Sequence, residues 1–412
     1  MPQPTYTLNI QQAAARVAQL DATDAANAVA ADVAAGTYPA LTITQTTDDL
    51  PPLNALVEKW QHTFSHIVII GIGGSALGGQ MLCRFTGPDV GATPRVHFVD
   101  NDDPHTLDHL LNALPLAQTG IIAVSKSGGT AETLAATLLF VGALEQAALD
   151  VPAHLTVLTE NTQNKLGKLA SHYGAQILPH HPKIGGRFSA FSNVGALPAL
   201  FAGVDVAALR QGAAQVLADF TQNPQQAPAT QAAALAVAAQ GERPMLVTIF
   251  YGDRLALMGD WLTQLWAESL GKEGKGSTPV AFTGATDQHS MLQLFADGPD
   301  DKLYTAVLPQ TDGSAPTVPA DSAGRLGADA LAGLPLGSLI EAQGKGTVES
   351  LQARGRPVMV LHTPPLDAAV LGGLMMHFML QTLVAGHLMQ VNPLDQPAVE
   401  DGKTRTMTHI KN

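Results

Sequence analysis

Apolar residues fall along this chain in two rhythms. Short runs rich in Val and Ile, of the kind that fill a buried strand, alternate with longer stretches whose apolar positions recur at helical spacing. The runs predict strands at 66–70, 95–99, 120–124 and 154–158, interleaved with helices at 77–85, 104–114, 131–147 and 162–172. Near residue 245 the rhythm restarts, with strands at 245–250, 279–282, 304–308 and 358–361 and helices at 254–270, 290–295, 337–354 and 368–389. Alternation of this kind predicts an α/β fold of parallel sheets covered on both faces, and its repetition predicts two lobes of related architecture. In open parallel sheets the ligand cleft lies beyond the carboxyl ends of the strands, so the site is expected between the lobes.

Outside the two blocks the pattern is helical or polar. Ile10, Ala13, Val17 and Leu20 predict a packing helix or pair over 9–35, and 207–239 reads as an Ala-rich helical stretch with a loop at 222–230. The segment 310–329, rich in Asp, Gly, Pro and Ser, predicts a surface loop or short excursion. The expected organisation is an N-terminal helical segment over 1–60, a first α/β domain over 61–200, a second over 201–390 and a tail over 391–412. The most apolar window, 368–388, contains His377, Gln381 and His387, which suits a buried helix and not a membrane span.

Composition narrows the partners. With 412 residues and 46% hydrophobic content the chain can bury two sizeable cores, while a formal net charge of −13 argues against a nucleic-acid partner. Any phosphate site must therefore be a local positive pocket. The single Cys83 excludes an internal disulfide, and the opening Met1-Pro-Gln-Pro-Thr-Tyr lacks the basic and apolar regions of a signal peptide, so a cytoplasmic location is expected.

Two turns carry the first chemical signal. GIGGSALGG at 71–79 follows one predicted strand, and Ser125-Lys-Ser-Gly-Gly-Thr130 follows another. Small and hydroxyl residues where a buried strand ends and a helix begins allow backbone N–H groups and the helix dipole to face an anion. The glycine turn alone also fits a dinucleotide fold, with Asp100 closing the second strand, but it is not a clean GxGxxG. The second turn adds three hydroxyls (Ser125, Ser127 and Thr130) and the cation Lys126, which suits a terminal phosphate monoester; the plainer alternative is a helix N-cap.

Other candidates follow downstream. Arg187 directly after Gly185 and Gly186 allows a guanidinium close to a ligand, where it would stabilise a developing oxyanion; the alternative is a salt bridge. Glu268 lies at the C-terminal end of an apolar helix, against the dipole, where it needs local partners; it is either a general base or an i,i+4 partner of Lys272. His289 opens another helix, and Lys403 lies in the tail. No catalytic metal is expected: His105 and His109 are four apart and His180 and His181 adjacent, but neither pair has a third ligand at useful spacing.

Taken in order, GIGGSALG, SKSGGTAET, GGRFSAFSNVGALPA, QLWAESLGK, TDQHSMLQLF and NPLDQPAVEDGK resemble the glucose-6-phosphate isomerase (phosphoglucose isomerase) family, in its compact bacterial form. The resemblance runs from Gly71 to Lys403. It implies two sugar isomerase (SIS) domains, each a mainly parallel sheet flanked by helices, and interconversion of glucose 6-phosphate and fructose 6-phosphate through a cis-enediol without a cofactor. By residue it implies Ser125, Lys126, Ser127 and Thr130 on the phosphate, Gly73, Gly74 and Ser75 along the sugar, and Gln396 as a further contact. Glu268 would be the base between carbons 2 and 1, His289 the ring-opening acid aided by Lys403, and Arg187 the cation beside the enediolate. It also implies a homodimer in which His289 comes from the neighbouring subunit. Gly129 and Asp287 depart from the family pattern, which more often has Thr and Gly there. Rival readings are a dual glucose/mannose 6-phosphate isomerase and a non-catalytic sugar-phosphate sensor.

Overall fold

The computed structural model describes residues 5–87, 91, 94–311 and 316–411. Among these residues ten strands form two five-stranded sheets. In the first, β2 (His66–Ile70), β3 (Arg95–Val99), β4 (Thr119–Val124), β5 (Leu155–Thr159) and β6 (Gln176–Pro179) lie in the order β3-β2-β4-β5-β6, all parallel. The second contains β1 (Thr7–Asn9), β7 (Met245–Tyr251), β8 (Thr278–Gly284), β9 (Lys302–Pro309) and β10 (Val358–Thr363), in the order β1-β10-β9-β7-β8. Only β1 runs antiparallel to its neighbour.

Period-two alternation explains why both faces are covered. Ile67 and Ile69 of β2 face one apolar core, while Val68 and Ile70 face another built with Leu107, Phe140 and Leu166 from the outer helices. In the second sheet Val247, Ile249 and Tyr251 face an outer core with Phe295 and Leu351, while Phe250 joins the core that also receives Ile67 and Ile69. One continuous core thus lies between the sheets.

The centre of that core is the helix Ala368–Met389, and 89% of its most apolar window is buried inside the protein. It packs on Val206–Gln222 at a contact where two glycines replace side chains. A Cβ at Gly372 would lie 1.8 Å from the Leu209 carbonyl oxygen, and one at Gly212 would lie 1.9 Å from that of Ala369. No larger residue fits there without moving a helix.

Several element ends differ from the sequence expectation. The helix predicted at 162–172 is Lys165–Tyr173, because Asn164 caps it by accepting from the Gly167 N–H at 2.8 Å. The loop predicted at 222–230 shrinks to 223–227, since Pro228 starts the helix Pro228–Ala239. Residues 9–35 give the short Gln11–Ala14 and the longer Thr23–Ala34. Of the loop predicted at 310–329, residues 312–315 lie outside the described residues, and Ala320–Arg325 is a short helix. The strands β1 and β6 were not expected at all; both are short and lie at sheet edges.

Candidate active site

The strand order fixes where a ligand can go. From β2 the chain crosses to β3 on one side and returns to β4 on the other, so the connections diverge between β2 and β4. The two candidate turns leave the carboxyl ends of these same two strands, Gly71 to Ser75 after β2 and Ser125 to Thr130 after β4.

In the second turn the Ser125 hydroxyl lies 3.1 Å from that of Thr130 and accepts the Gly128 N–H at 3.1 Å, while Ser127 Oγ accepts the Gly129 N–H at 3.2 Å. Thr130 occupies the N-cap of the sixteen-residue helix Ala131–Gln146 without making a side-chain capping bond. The capping alternative therefore fails for Thr130, whose side chain satisfies none of the first N–H groups of that helix.

The glycine turn leans on the arginine turn. A Cβ on Gly74 would fall 2.1 Å from the Gly186 carbonyl carbon and 2.5 Å from the Arg187 nitrogen, so only glycine allows this approach. Ser189 fixes the contact by donating to the Gly74 carbonyl at 3.0 Å and to that of Gly186 at 2.7 Å. Behind it, the fully buried Arg210 binds Asp49 through both terminal nitrogens and donates to the Phe191 carbonyl, which anchors the end of the arginine turn.

Arg187 joins distant segments. Its Nε donates to Ser269 Oγ at 2.8 Å, Nη1 to Glu268 Oε1 at 2.9 Å and Gln396 Oε1 at 3.0 Å, and Nη2 to the carbonyls of Pro393 at 2.6 Å and Asp395 at 2.9 Å. Every guanidinium N–H is thus committed. Its side chain is 2% exposed against 22% for Glu268, so the carboxylate is the member of the pair that reaches the surface. Burial lowers the pKa of Arg187 from its ordinary value, opposed by the neighbouring Glu268 and Asp395; the group remains a cation.

Glu268 has a second partner that sequence reasoning passed over. Gln264, one turn earlier on the helix Met258–Leu270, donates to Glu268 Oε2 at 3.0 Å, and its own Oε1 is buried with no partner among the described residues. The i−4 spacing in QLWAE was the available signal. Gln264 also lies under the glycine turn, 3.1 Å from where a Cβ of Gly73 would stand. The pairing of Glu268 with Lys272 is not found: Lys272 binds Asp395 at 2.8 Å and the Asn392 carbonyl. It thereby ties the end of the glutamate helix to the segment that carries Gln396.

The structure brings together Gly73, Gly74, Arg187, Glu268 and Gln396, with Ser75 in the same turn. Ser125, Lys126, Ser127 and Thr130 cluster at the neighbouring strand end. His289 and Lys403 are not in the cluster of this chain. His289 is exposed near the start of the helix Gln288–Asp297, which Asp287 precedes, its Oδ2 accepting the Thr283 N–H at 2.7 Å. Lys403 lies on the exposed helix Pro397–Lys411 and pairs with Glu400 at 2.8 Å. Among the described residues no group of three or more His, Cys, Asp or Glu is placed to hold a metal ion.

The family model "Phosphoglucose isomerase" matches residues 55–300. A glucose-6-phosphate isomerase of Rubrobacter xylanophilus is 40% identical over 354 residues, covering 83% of this chain and 82% of the relative. The crystal structure of a hypothetical protein from Thermus thermophilus superposes with a TM-score of 0.87 at 32% identity, over 95% of both chains. That of a glucose-6-phosphate isomerase from Chlamydia trachomatis superposes at 0.80 and 23% identity, over 90% of this chain and 78% of the other, and speaks for the fold alone. On the match over more than half its length and on this identity, the chain belongs to the phosphoglucose isomerase family, with the two SIS-type lobes of that fold.

Proposed function

We propose that the protein interconverts glucose 6-phosphate and fructose 6-phosphate by moving one proton between carbons 2 and 1. The observation that carries this is the Arg187 and Glu268 pair, which holds a partly exposed carboxylate beside the glycine turn at the strand-order reversal.

The 6-phosphate is held by Ser125, Lys126, Ser127 and Thr130 at the uncapped start of Ala131–Gln146. The sugar then lies along Gly73, Gly74 and Ser75, where the absence of side chains allows close approach. His289, with Lys403, supplies the acid that opens the ring, and both come to the cleft from outside the cluster of this chain: His289 from the partner of a homodimer, Lys403 on its exposed helix.

Glu268 removes the hydrogen on carbon 2 of the open-chain aldose as a proton. The electrons of that bond form the double bond of the cis-enediol, and the carbonyl oxygen at carbon 1 takes up the negative charge. The hydroxyl on carbon 2 passes its proton to the oxygen on carbon 1, and protonation at carbon 1 by the same carboxylate then yields the ketose, carbon 1 being reduced as carbon 2 is oxidised. Both Glu268 oxygens are steered, Oε1 by Arg187 and Oε2 by Gln264, which holds the base in one orientation. Arg187, with every donor engaged, acts on the enediolate through its fixed charge while it positions the base and Gln396. The setting is a cytoplasmic glycolytic enzyme.

Feeding purified protein glucose 6-phosphate and following fructose 6-phosphate tests the reaction. Product at enzymatic rates in both directions, with no nicotinamide added, is the expected result; binding of the sugar phosphate without turnover would make the protein a sensor and overturn it.

A further inference from the structure

Beside the phosphate turn, a strap that carries His180, His181 and Lys183 is unused by the reaction described above. β6 ends at Pro179, paired with Thr159 of β5, and the next residue, His180, donates its backbone N–H to the Thr159 carbonyl at 2.9 Å. Thr159 in turn gives its hydroxyl to the Lys126 carbonyl at 3.3 Å, and the Glu160 N–H donates to the same oxygen at 3.2 Å. The strap His180-His181-Pro182-Lys183 is therefore laced to the turn that carries Lys126, and it leads straight into Gly185, Gly186 and Arg187.

Hydrogen bonds fix the two imidazoles. His180 is 2% exposed, and its Nδ1 lies 3.1 Å from the His181 carbonyl, which can only accept, so that nitrogen carries the proton. His181 Nδ1 accepts the Lys183 N–H at 3.2 Å, which leaves the proton of its neutral ring on Nε2. That N–H, on a half-buried ring, has no partner among the described residues, and the side chains of Lys126 and Lys183 have no ion pair there. Lys126 from the turn after β4 and Lys183 and His180 from its own strap act on His181, while Glu160, just past β5, acts on His180. Three unpaired basic side chains at a strand end, against a net charge of −13, are suited to an arriving anion.

We propose that His181 is a further donor to the phosphate group held by Ser125 to Thr130, with Lys183 adding charge behind it. This rests on the reading of that turn as the phosphate site. In the free protein, burial and then Lys126 and Lys183 hold His181 below its ordinary pKa of 6.5. A bound dianion favours the imidazolium and raises the value. Affinity is therefore greatest where His181 is protonated and falls as pH rises through the bound-state pKa. Each unit of rise on binding corresponds to about tenfold in affinity.

Sulfate, which stays a dianion from about pH 5.5 to about pH 8.5, separates the protein's titration from the ligand's. Calorimetric titration of the full-length parent should show sulfate affinity falling about tenfold across that range. His181→Gln should flatten the dependence, and Lys126→Ala should weaken binding at every pH. An unchanged slope in His181→Gln, with Lys126→Ala weakened, overturns the role of His181 and leaves the turn standing. Undiminished binding in Lys126→Ala overturns the reading of the turn itself. Ring nitrogen shifts of His181 in the parent give a check that needs no variant: a pKa that sulfate does not raise contradicts the proposal.

Discussion

Arg187 shows how much a single side chain can hold in place. Its donors span the glutamate helix and the segment before Pro397, a job that depends on the planar fork of a guanidinium. Arg187→Lys keeps the charge but leaves buried acceptors unpaired, each at about 1–3 kcal/mol. Its urea midpoint should drop and its kcat should fall, while an unchanged midpoint would contradict the network described here. A second residue-scale prediction concerns His377, buried at the centre of the core with Nδ1 on the Tyr6 hydroxyl at 2.9 Å and Nε2 unpaired among the described residues. Burial holds its pKa down at about 3, against the ordinary 6.5. The unfolded chain thus binds this proton first, and stability is lost as pH falls below 6.5 toward 3, by about 1.4 kcal/mol per unit. Urea unfolding at pH 7 and pH 5 should show the loss, and His377→Phe should reduce it. At this scale the sequence made Glu268, Arg187 and Gln396 legible through their motifs. It did not make legible the carbonyls of Pro393 and Asp395, because every residue has a carbonyl and only the folded path aims one at a guanidinium.

Elements were legible where both faces of a strand are buried. The runs behind β2, β4 and β5 are continuous because helices cover them on both sides, whereas β1 and β6, at the edges, have too few apolar residues to stand out. The helix Ala368–Met389 was visible by length and apolarity, but being buried nearly all round it has no polar face to reveal its neighbours. Its close contact with Val206–Gln222 rests on glycines, and the two kinds of helical glycine in this protein give opposite predictions. Gly372→Ala pushes a Cβ into the Leu209 carbonyl and should destabilise by about 1–3 kcal/mol. Gly142→Ala, in Ala131–Gln146 with nothing within 4 Å, should stabilise by about 0.5–1 kcal/mol. Thermal or urea denaturation of the two variants checks both signs.

Across the whole molecule the two sheets share one plan. β3-β2-β4-β5 of the first matches β8-β7-β9-β10 of the second, and β1 stands where β6 would, running the other way. The alternation in the sequence foretold two related lobes; it did not foretell that the N-terminal strand completes the second sheet, because antiparallel pairing of residues 7–9 with 360–362 leaves no local trace. On the proposed mechanism catalysis is expected to need a second copy, since His289 is exposed and is not among the partners of Arg187. Mixing Glu268→Gln and His289→Ala chains, each inactive alone, should restore about a quarter of parent activity if sites are shared across a two-fold interface. No recovery after verified subunit exchange would place each site within one chain.

The proton transfer itself is open to direct measurement. Turnover of glucose 6-phosphate in deuterium oxide should place deuterium at carbon 2 of the recovered substrate with the parent protein. With folded Glu268→Gln the rate of that exchange should be lower by at least about a hundredfold. Equal incorporation by the two proteins would show that another group moves the proton and that the carboxylate held by Arg187 and Gln264 is not the base.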